Sequence, residues 1–84
     1  RHAPAFDDWV TDQRQGLVDR YVGLLTDAAQ SLARAREPAL AVQVLRRCLS
    51  LVPWSEPHHR ALIQCFADLG QRAAALAQLD SCRR

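Results

Sequence analysis

Apolar residues between Pro38 and Val52 recur at intervals of three and four, which is the spacing of one face of an α-helix. The apolar stripe consists of Leu40, Ala41, Val44, Leu45, Cys48, Leu49 and Val52. Pro53 lacks an amide hydrogen and disfavours the helical conformation at the residue before it, so the helix is predicted to end there. Ser55 is placed to cap the next helix, with an acidic residue and a proline in its first turn.

The pattern before Pro38 predicts one long first helix. Its apolar positions are Trp9, Val10, Leu17, Tyr21, Leu24, Leu25, Ala28 and Leu32. Asp7 or Asp8 is the predicted cap, and residues 1–5 are predicted to be a disordered lead-in. Two interior glycines each cost about 1 kcal/mol relative to alanine, so the alternative is a break near Gly16 into a short and a longer helix.

Two further helices are predicted after Pro53, one from about Glu56 to Leu69 and one from about Arg72. The expected inward positions of the first of these are Leu62, Ile63, Phe66 and Leu69, and the second runs through the apolar positions Ala75, Leu76, Leu79 and Cys82. Gly70 is the expected left-handed cap between them. Because no stretch alternates apolar and polar residues at period two, the predicted fold class is all-α, with about four helices in antiparallel hairpins.

The chain resembles itself at a shift of 34 residues. The matched pairs are Ala28 with Leu62, Leu32 with Phe66, Ala41 with Ala75, Leu45 with Leu79 and Cys48 with Cys82. This is the period of tetratricopeptide repeats, which stack helical hairpins on one another. The match is imperfect, because Arg36 stands where Gly70 stands in the second copy. Generic antiparallel hairpins are the alternative interpretation.

Length and composition argue against several classes of protein. With 84 residues, the chain forms one domain near the size at which burial only just offsets chain entropy, so a large pocketed enzyme is not expected. The formal net charge of +2 is too small to predict a nucleic-acid surface. No membrane span, signal-peptide pattern or cysteine motif is found, so we expect a cytoplasmic protein that makes no membrane contact.

No catalytic, cofactor-binding or metal-binding constellation is found in the sequence, and no enzyme activity is expected. His58 and His59 are adjacent, so they cannot chelate one metal ion as residues at i and i+4 would. Exposed positions at a helix start are expected for both. One surface cluster is a candidate anchor for a partner protein: Trp54, Arg46 and Arg47.

Several short motifs follow one another in a characteristic order. They are Trp9, Arg14, Leu17 and Tyr21, then Ala41, Pro53, Glu56 and His59-Arg60-Ala61-Leu62, and finally Gly70-Gln-Arg-Ala-Ala-Ala-Leu76. In this order they resemble the bacterial transcriptional activator domain, the tetratricopeptide-like helical domain of antibiotic-regulatory-protein type regulators. The resemblance covers residues 6–84. It implies a non-catalytic regulatory and protein-interaction domain, with DNA read by a winged-helix domain that this chain lacks.

The resemblance also implies protein partners, namely a winged-helix DNA-binding domain of the same regulator, a second protomer in a homodimer, or the transcription machinery. From the repeat register we expect a concave protein-binding face on the first and third helices, lined by Gly23, Thr26, Gln30, Arg60, Gln64 and Ala67. Two other functions stay open. They are a structural dimerisation module and a small arginine-rich nucleic-acid-binding module, the latter marked by steep salt dependence of binding.

Overall fold

In the computed structural model, which describes residues 4–84, the chain folds into four α-helices. They are α1 (Pro4–Arg34), α2 (Pro38–Leu51), α3 (Glu56–Asp68) and α4 (Arg72–Arg83). No strand occurs within the described residues. The predicted all-α fold with four helices is confirmed, and the predicted helix ends at Pro53 and Gly70 agree with the structure to within one or two residues.

The first helix is continuous, as predicted, and the alternative break near Gly16 is wrong. It also begins earlier than predicted. Pro4 and Ala5 belong to the helix rather than to a disordered lead-in, while residues 1–3 of that lead-in lie outside the described residues. Proline suits the first helical turn because its missing amide hydrogen has no partner there in any case. Because the helix includes Asp7 and Asp8, neither residue stands at the position before its first turn, where the cap was expected.

Each helix packs against the next one in the chain, and the short connections make neighbouring helices antiparallel. The long first helix has 31 residues and α2 has 14. The Arg47 guanidinium lies over the Tyr21 ring, and α2 ends one turn later. Residues 4–17 of α1 therefore extend beyond α2 by about 20 Å. We call this segment the N-terminal arm.

The hydrophobic core lies where α2 and α3 meet α1. It consists of Ala29, Ala41, Val42, Leu45, Leu62, Cys65 and Phe66. Among the described residues, α1 buries Ala29 alone and α4 buries none. Leu76, one of the apolar positions of the predicted fourth helix, is 52% exposed. The reason is that α4 is the last helix, and among the described helices it packs extensively on α3 alone.

The two hairpin turns have the same backbone structure. After α1, the N–H groups of Arg36 and Glu37 donate to the carbonyls of Ala33 and Leu32 at 3.1 and 2.9 Å, and after α3 those of Gly70 and Gln71 donate to Ala67 and Phe66 at 3.0 and 2.8 Å. Both are Schellman caps. The left-handed residue is Arg36 (φ +62°) in one and Gly70 (φ +71°) in the other. The repeat of 34 residues is therefore present in the backbone, with arginine adopting the conformation that glycine prefers.

Replacing Arg36 with glycine is expected to stabilise the domain by about 0.5–1 kcal/mol. A left-handed conformation costs a residue with a Cβ roughly 1–2 kcal/mol, and the greater freedom of glycine in the unfolded chain offsets part of the gain. The matched control is Gly70→Ala, which should destabilise by about 1 kcal/mol, because the added Cβ has open space and meets only backbone strain. Urea unfolding measures both changes. A lower midpoint for Arg36→Gly would contradict this account.

Candidate functional site

A groove of about 250 Å³ runs between α1 and α3. On the α1 side its wall is formed by Thr26, Ala29, Gln30 and Ala33, and on the α3 side by Pro57, His58, Ala61, Gln64, Cys65 and Asp68. Leu45 of α2 contributes to the lining from between the two walls. We call this cavity the α1–α3 groove.

The groove exists because small side chains occur at helical spacing on both walls. Ala29 and Ala33 lie one turn apart on α1, and Ala61 occupies the centre of the α3 wall. An alanine methyl group fills little of the space between two helix axes, so an open trough remains above the core. Most of the lining is therefore apolar, with polar groups toward its edges.

Of the six residues predicted for the protein-binding face, three line the groove: Thr26, Gln30 and Gln64. The other three, Gly23, Arg60 and Ala67, are exposed and lie outside the groove lining. On α3 the reason is angular. Arg60 and Ala67 each precede a lining residue by one position, which turns them about 100° around the helix. The Arg60 guanidinium instead lies 3.5 Å from the Glu56 carboxylate. Protein binding by any of the six stays a prediction.

The predicted anchor residues are dispersed in the structure. Trp54 lies in the turn between α2 and α3 and is 77% exposed. The Arg46 guanidinium lies 5.5 Å from the centre of the Phe66 ring, and that of Arg47 lies 5.8 Å from the centre of the Tyr21 ring. The two arginines therefore reach toward α3 and α1 respectively, in cation–π contacts, rather than forming one patch.

One end of the groove is closed by a hydrogen-bonded histidine. The Thr26 hydroxyl donates to the Val22 carbonyl at 2.7 Å, so the His58 Nε2–H donates to Thr26 Oγ1 at 2.7 Å. The Ser55 hydroxyl then donates to His58 Nδ1 at 2.5 Å. Burial lowers the pKa of His58, and the electrostatic interaction with the adjacent His59 lowers that pKa further. His58 is thus a neutral bridge between α1 and α3.

This arrangement corrects two expectations from the sequence. Ser55 does occupy the position before α3, but its hydroxyl bonds to the His58 ring and makes no capping bond to a backbone amide. The histidines are not exposed: His58 is half-buried, and His59 is only 7% exposed. Sequence reasoning missed His58 as a site residue. The sequence does contain a signal for this residue, because His58 follows Ser55 by three positions. That spacing places the two side chains next to each other at the start of a helix.

His59 of α3 forms hydrogen bonds both to the turn between α2 and α3 and to α4. Its Nε2–H donates to the Pro53 carbonyl at 2.8 Å, and the Gln78 amide of α4 donates to its Nδ1 at 2.6 Å. Both ring nitrogens are therefore occupied by structural bonds. Within the described part of the chain, every buried side-chain nitrogen and oxygen has a hydrogen-bond partner.

A comparison with known protein families identifies the family of this chain. The family model for the bacterial transcriptional activator domain matches residues 2–84, which is nearly the whole chain. The chain belongs to this family. Membership implies a role in bacterial transcriptional activation. The curated proteins and the solved structures contain no match to this chain.

The groove of this activator domain has one cysteine in its lining, Cys65. The Cys48 side chain is fully buried on α2. Burial raises the pKa of both thiols, and the Asp68 carboxylate raises the pKa of Cys65 further. Among residues 4–84, no group of three His, Cys, Asp or Glu residues is arranged to hold a metal ion. No described helix is both long enough and apolar enough to cross a membrane.

Proposed function

We propose that this activator domain is a non-catalytic protein-interaction module whose α1–α3 groove binds a segment of a partner protein. The observation that carries the proposal is the groove itself, an open, mainly apolar trough of about 250 Å³ between two helices of stacked hairpins. Stacked helical repeats bind peptides on such concave faces. Small ligands also favour apolar cavities, but family membership in transcriptional activation favours a protein partner.

The chemistry of the lining describes the segment that would fit. Alanine and cysteine side chains leave room for apolar side chains of medium size. Gln30 and Gln64 present amide groups at the rim, and the Gln64 amide donates to the Asp68 carboxylate at 2.9 Å. Among the described lining residues, Asp68 alone is charged. We therefore expect a helical or extended segment with apolar side chains in the trough and a basic group next to Asp68.

Direct DNA reading is assigned in this proposal to a winged-helix domain outside these residues. The charge distribution supports that division of roles. The formal net charge is +2, and three central arginines are already engaged, two over aromatic rings and one beside a carboxylate. A nucleic-acid surface needs clustered basic groups directed at phosphates. The partner is accordingly a winged-helix domain, a second protomer or a component of the transcription machinery.

The proposal is tested with a substitution that fills the α1–α3 groove. Ala61→Trp places a large ring inside the α1–α3 groove, and Ala67→Trp places the same ring on an exposed part of α3 outside it. Binding to immobilised winged-helix domain from a regulator of this type, and to RNA polymerase, is measured by surface plasmon resonance. We expect Ala61→Trp to weaken binding at least about tenfold, a cost of about 1.4 kcal/mol, while Ala67→Trp leaves it unchanged.

If Ala67→Trp weakened binding and Ala61→Trp did not, the binding face would lie around Arg60 and Ala67, as the repeat register predicts. That result would overturn the assignment of binding to the groove. Circular dichroism melting of both variants verifies that each is folded. Duplex DNA is injected in the same assay. DNA affinity that falls steeply with salt, in the absence of any protein binding, would favour the nucleic-acid-binding alternative instead.

A further inference from the structure

The first helix carries a second apolar surface on the side turned away from the groove. Its exposed members are Phe6, Trp9, Leu17, Tyr21 and Leu24, with exposed fractions of 61, 57, 60, 43 and 70%. The Phe6 and Trp9 rings stack at 6.1 Å. Leu24 and the groove residue Thr26 are two positions apart, which is about 200° around a helix. We call this surface the α1 stripe.

The α1 stripe is large for an exposed patch. Aromatic side chains offer about 150–250 Å² each, so the exposed parts of its five side chains add up to about 500 Å². Patches of this size on a monomer are often functional. The N-terminal arm also lacks packing of its own, because none of residues 4–17 is buried. Helical segments of about 12–15 residues are marginally stable in water without such packing. A partner packed on the α1 stripe would therefore stabilise the helical conformation of the N-terminal arm.

The spacing of the stripe is self-complementary. Together with the polar position Gln13, its members stand at 6, 9, 13, 17, 21 and 24. The intervals are three, four, four, four and three, which read the same in both directions. An antiparallel pair of α1 helices centred on Gln15 therefore sets Phe6 against Leu24, Trp9 against Tyr21, and Gln13 against Leu17. An interface with twofold symmetry requires such a correspondence.

Charge in this register is mixed, because the Arg14 side chains of the two copies approach each other on one flank, while the other flank can form an ion pair. Asp12 and Arg20 lie on one flank of the α1 stripe, and in an antiparallel pair equal flanks face each other. Arg20 of one copy then lies within one helical turn of Asp12 of the other, and the symmetry makes this contact twice. Because α2 does not reach the N-terminal arm, the arm is free of α2 on the side where the body of a second copy would lie.

From these observations we infer that two copies of this chain associate through the α1 stripe as an antiparallel, twofold-symmetric dimer. Two stripes of about 500 Å² bury about 1,000 Å² in total, which is at the lower end of specific interfaces. The dimer is therefore weak and depends on concentration. The inference is independent of the proposed groove function, and the groove stays open because it lies on the other side of α1.

Sedimentation equilibrium over a series from low-micromolar to near-millimolar concentration tests the dimer. The expected mass rises from 9.4 kDa and levels off at twice that value. Leu17→Lys places a charge near the symmetry axis and is expected to weaken association at least tenfold. Gln15→Lys is the matched control, because it introduces the same residue two positions away on the opposite side of α1, and it leaves association unchanged.

Several results would overturn the inference: a mass of 9.4 kDa at every concentration, a mass that grows beyond two copies, or equal effects of the two lysine variants. The register has its own test. Arg20→Asp and Asp12→Arg each weaken association, and the double variant restores it. A double variant no better than the singles rules out the antiparallel register. Ala61→Trp serves as a final control, since it fills the groove and leaves the dimer mass unchanged.

Discussion

Replacing Leu62 with alanine is expected to lower the free energy of unfolding by about 3 kcal/mol. Leu62 is 1% exposed and lies on α3 in the core formed with α1 and α2. Removing a fully buried leucine side chain costs about 2–5 kcal/mol, because the transfer free energy is lost and a cavity remains. A domain of this length has about 4–12 kcal/mol in total, so the variant loses a large part of its stability.

Urea unfolding monitored by circular dichroism measures this change, and Leu76→Ala is the matched control. The chemical change is identical, but Leu76 is half exposed on α4, so we expect a loss below about 1 kcal/mol. Equal losses for the two variants would mean that α4 is as well packed as α3, in conflict with the exposure of its side chains.

Replacing His59 with alanine is the second change with a large expected effect, a loss of about 3 kcal/mol. The variant removes both hydrogen bonds of the ring and leaves the Pro53 carbonyl and the Gln78 amide without their partner. Each lost hydrogen bond costs about 0.5–1.5 kcal/mol net, because Pro53 is exposed and Gln78 is half-buried and water can reach both groups. The His59 ring itself is buried, so its removal adds the cost of a cavity.

A double-mutant cycle that combines His59→Ala with Gln78→Ala isolates the contact between His59 of α3 and Gln78 of α4. Because the two side chains share one hydrogen bond, the double variant should be more stable than the sum of the single losses predicts. Strict additivity would show that the bond between the Gln78 amide and the His59 ring adds nothing to stability, and a loss below about 1 kcal/mol for His59→Ala would contradict the burial argument.

The fold could be predicted because its determinants are local. Pro53 ends α2 for a covalent reason, Gly70 marks the end of α3 through its backbone freedom, and the helical periodicity between them is regular. Arg36 shows the limit of that reasoning. Its residue type argues against a left-handed cap, but the packing of α1 on α2 imposes on it the same turn that Gly70 adopts.

The candidate site could be predicted only in part. Periodicity shows that Thr26, Gln30 and Gln64 lie off the buried stripe, and these three do reach the groove. It does not show which flank of that polar side faces the neighbouring helix, so it predicts Arg60 rather than Ala61 for the binding face. His58 illustrates the same difficulty, because its bond to Thr26 spans 32 positions of sequence and depends on how α1 and α3 cross.

Because each helix packs mainly on its neighbours in the chain, we expect the helices to unfold locally at different free energies. Buried side chains concentrate in α2 and α3, while α4 and the N-terminal arm have none. Amide protons should therefore exchange with solvent first at both ends and last in the middle, as in other linear arrays whose units touch their neighbours. Fraying of the last helix leaves both walls of the groove in place, so the proposed binding face can outlast the loss of a quarter of the helices.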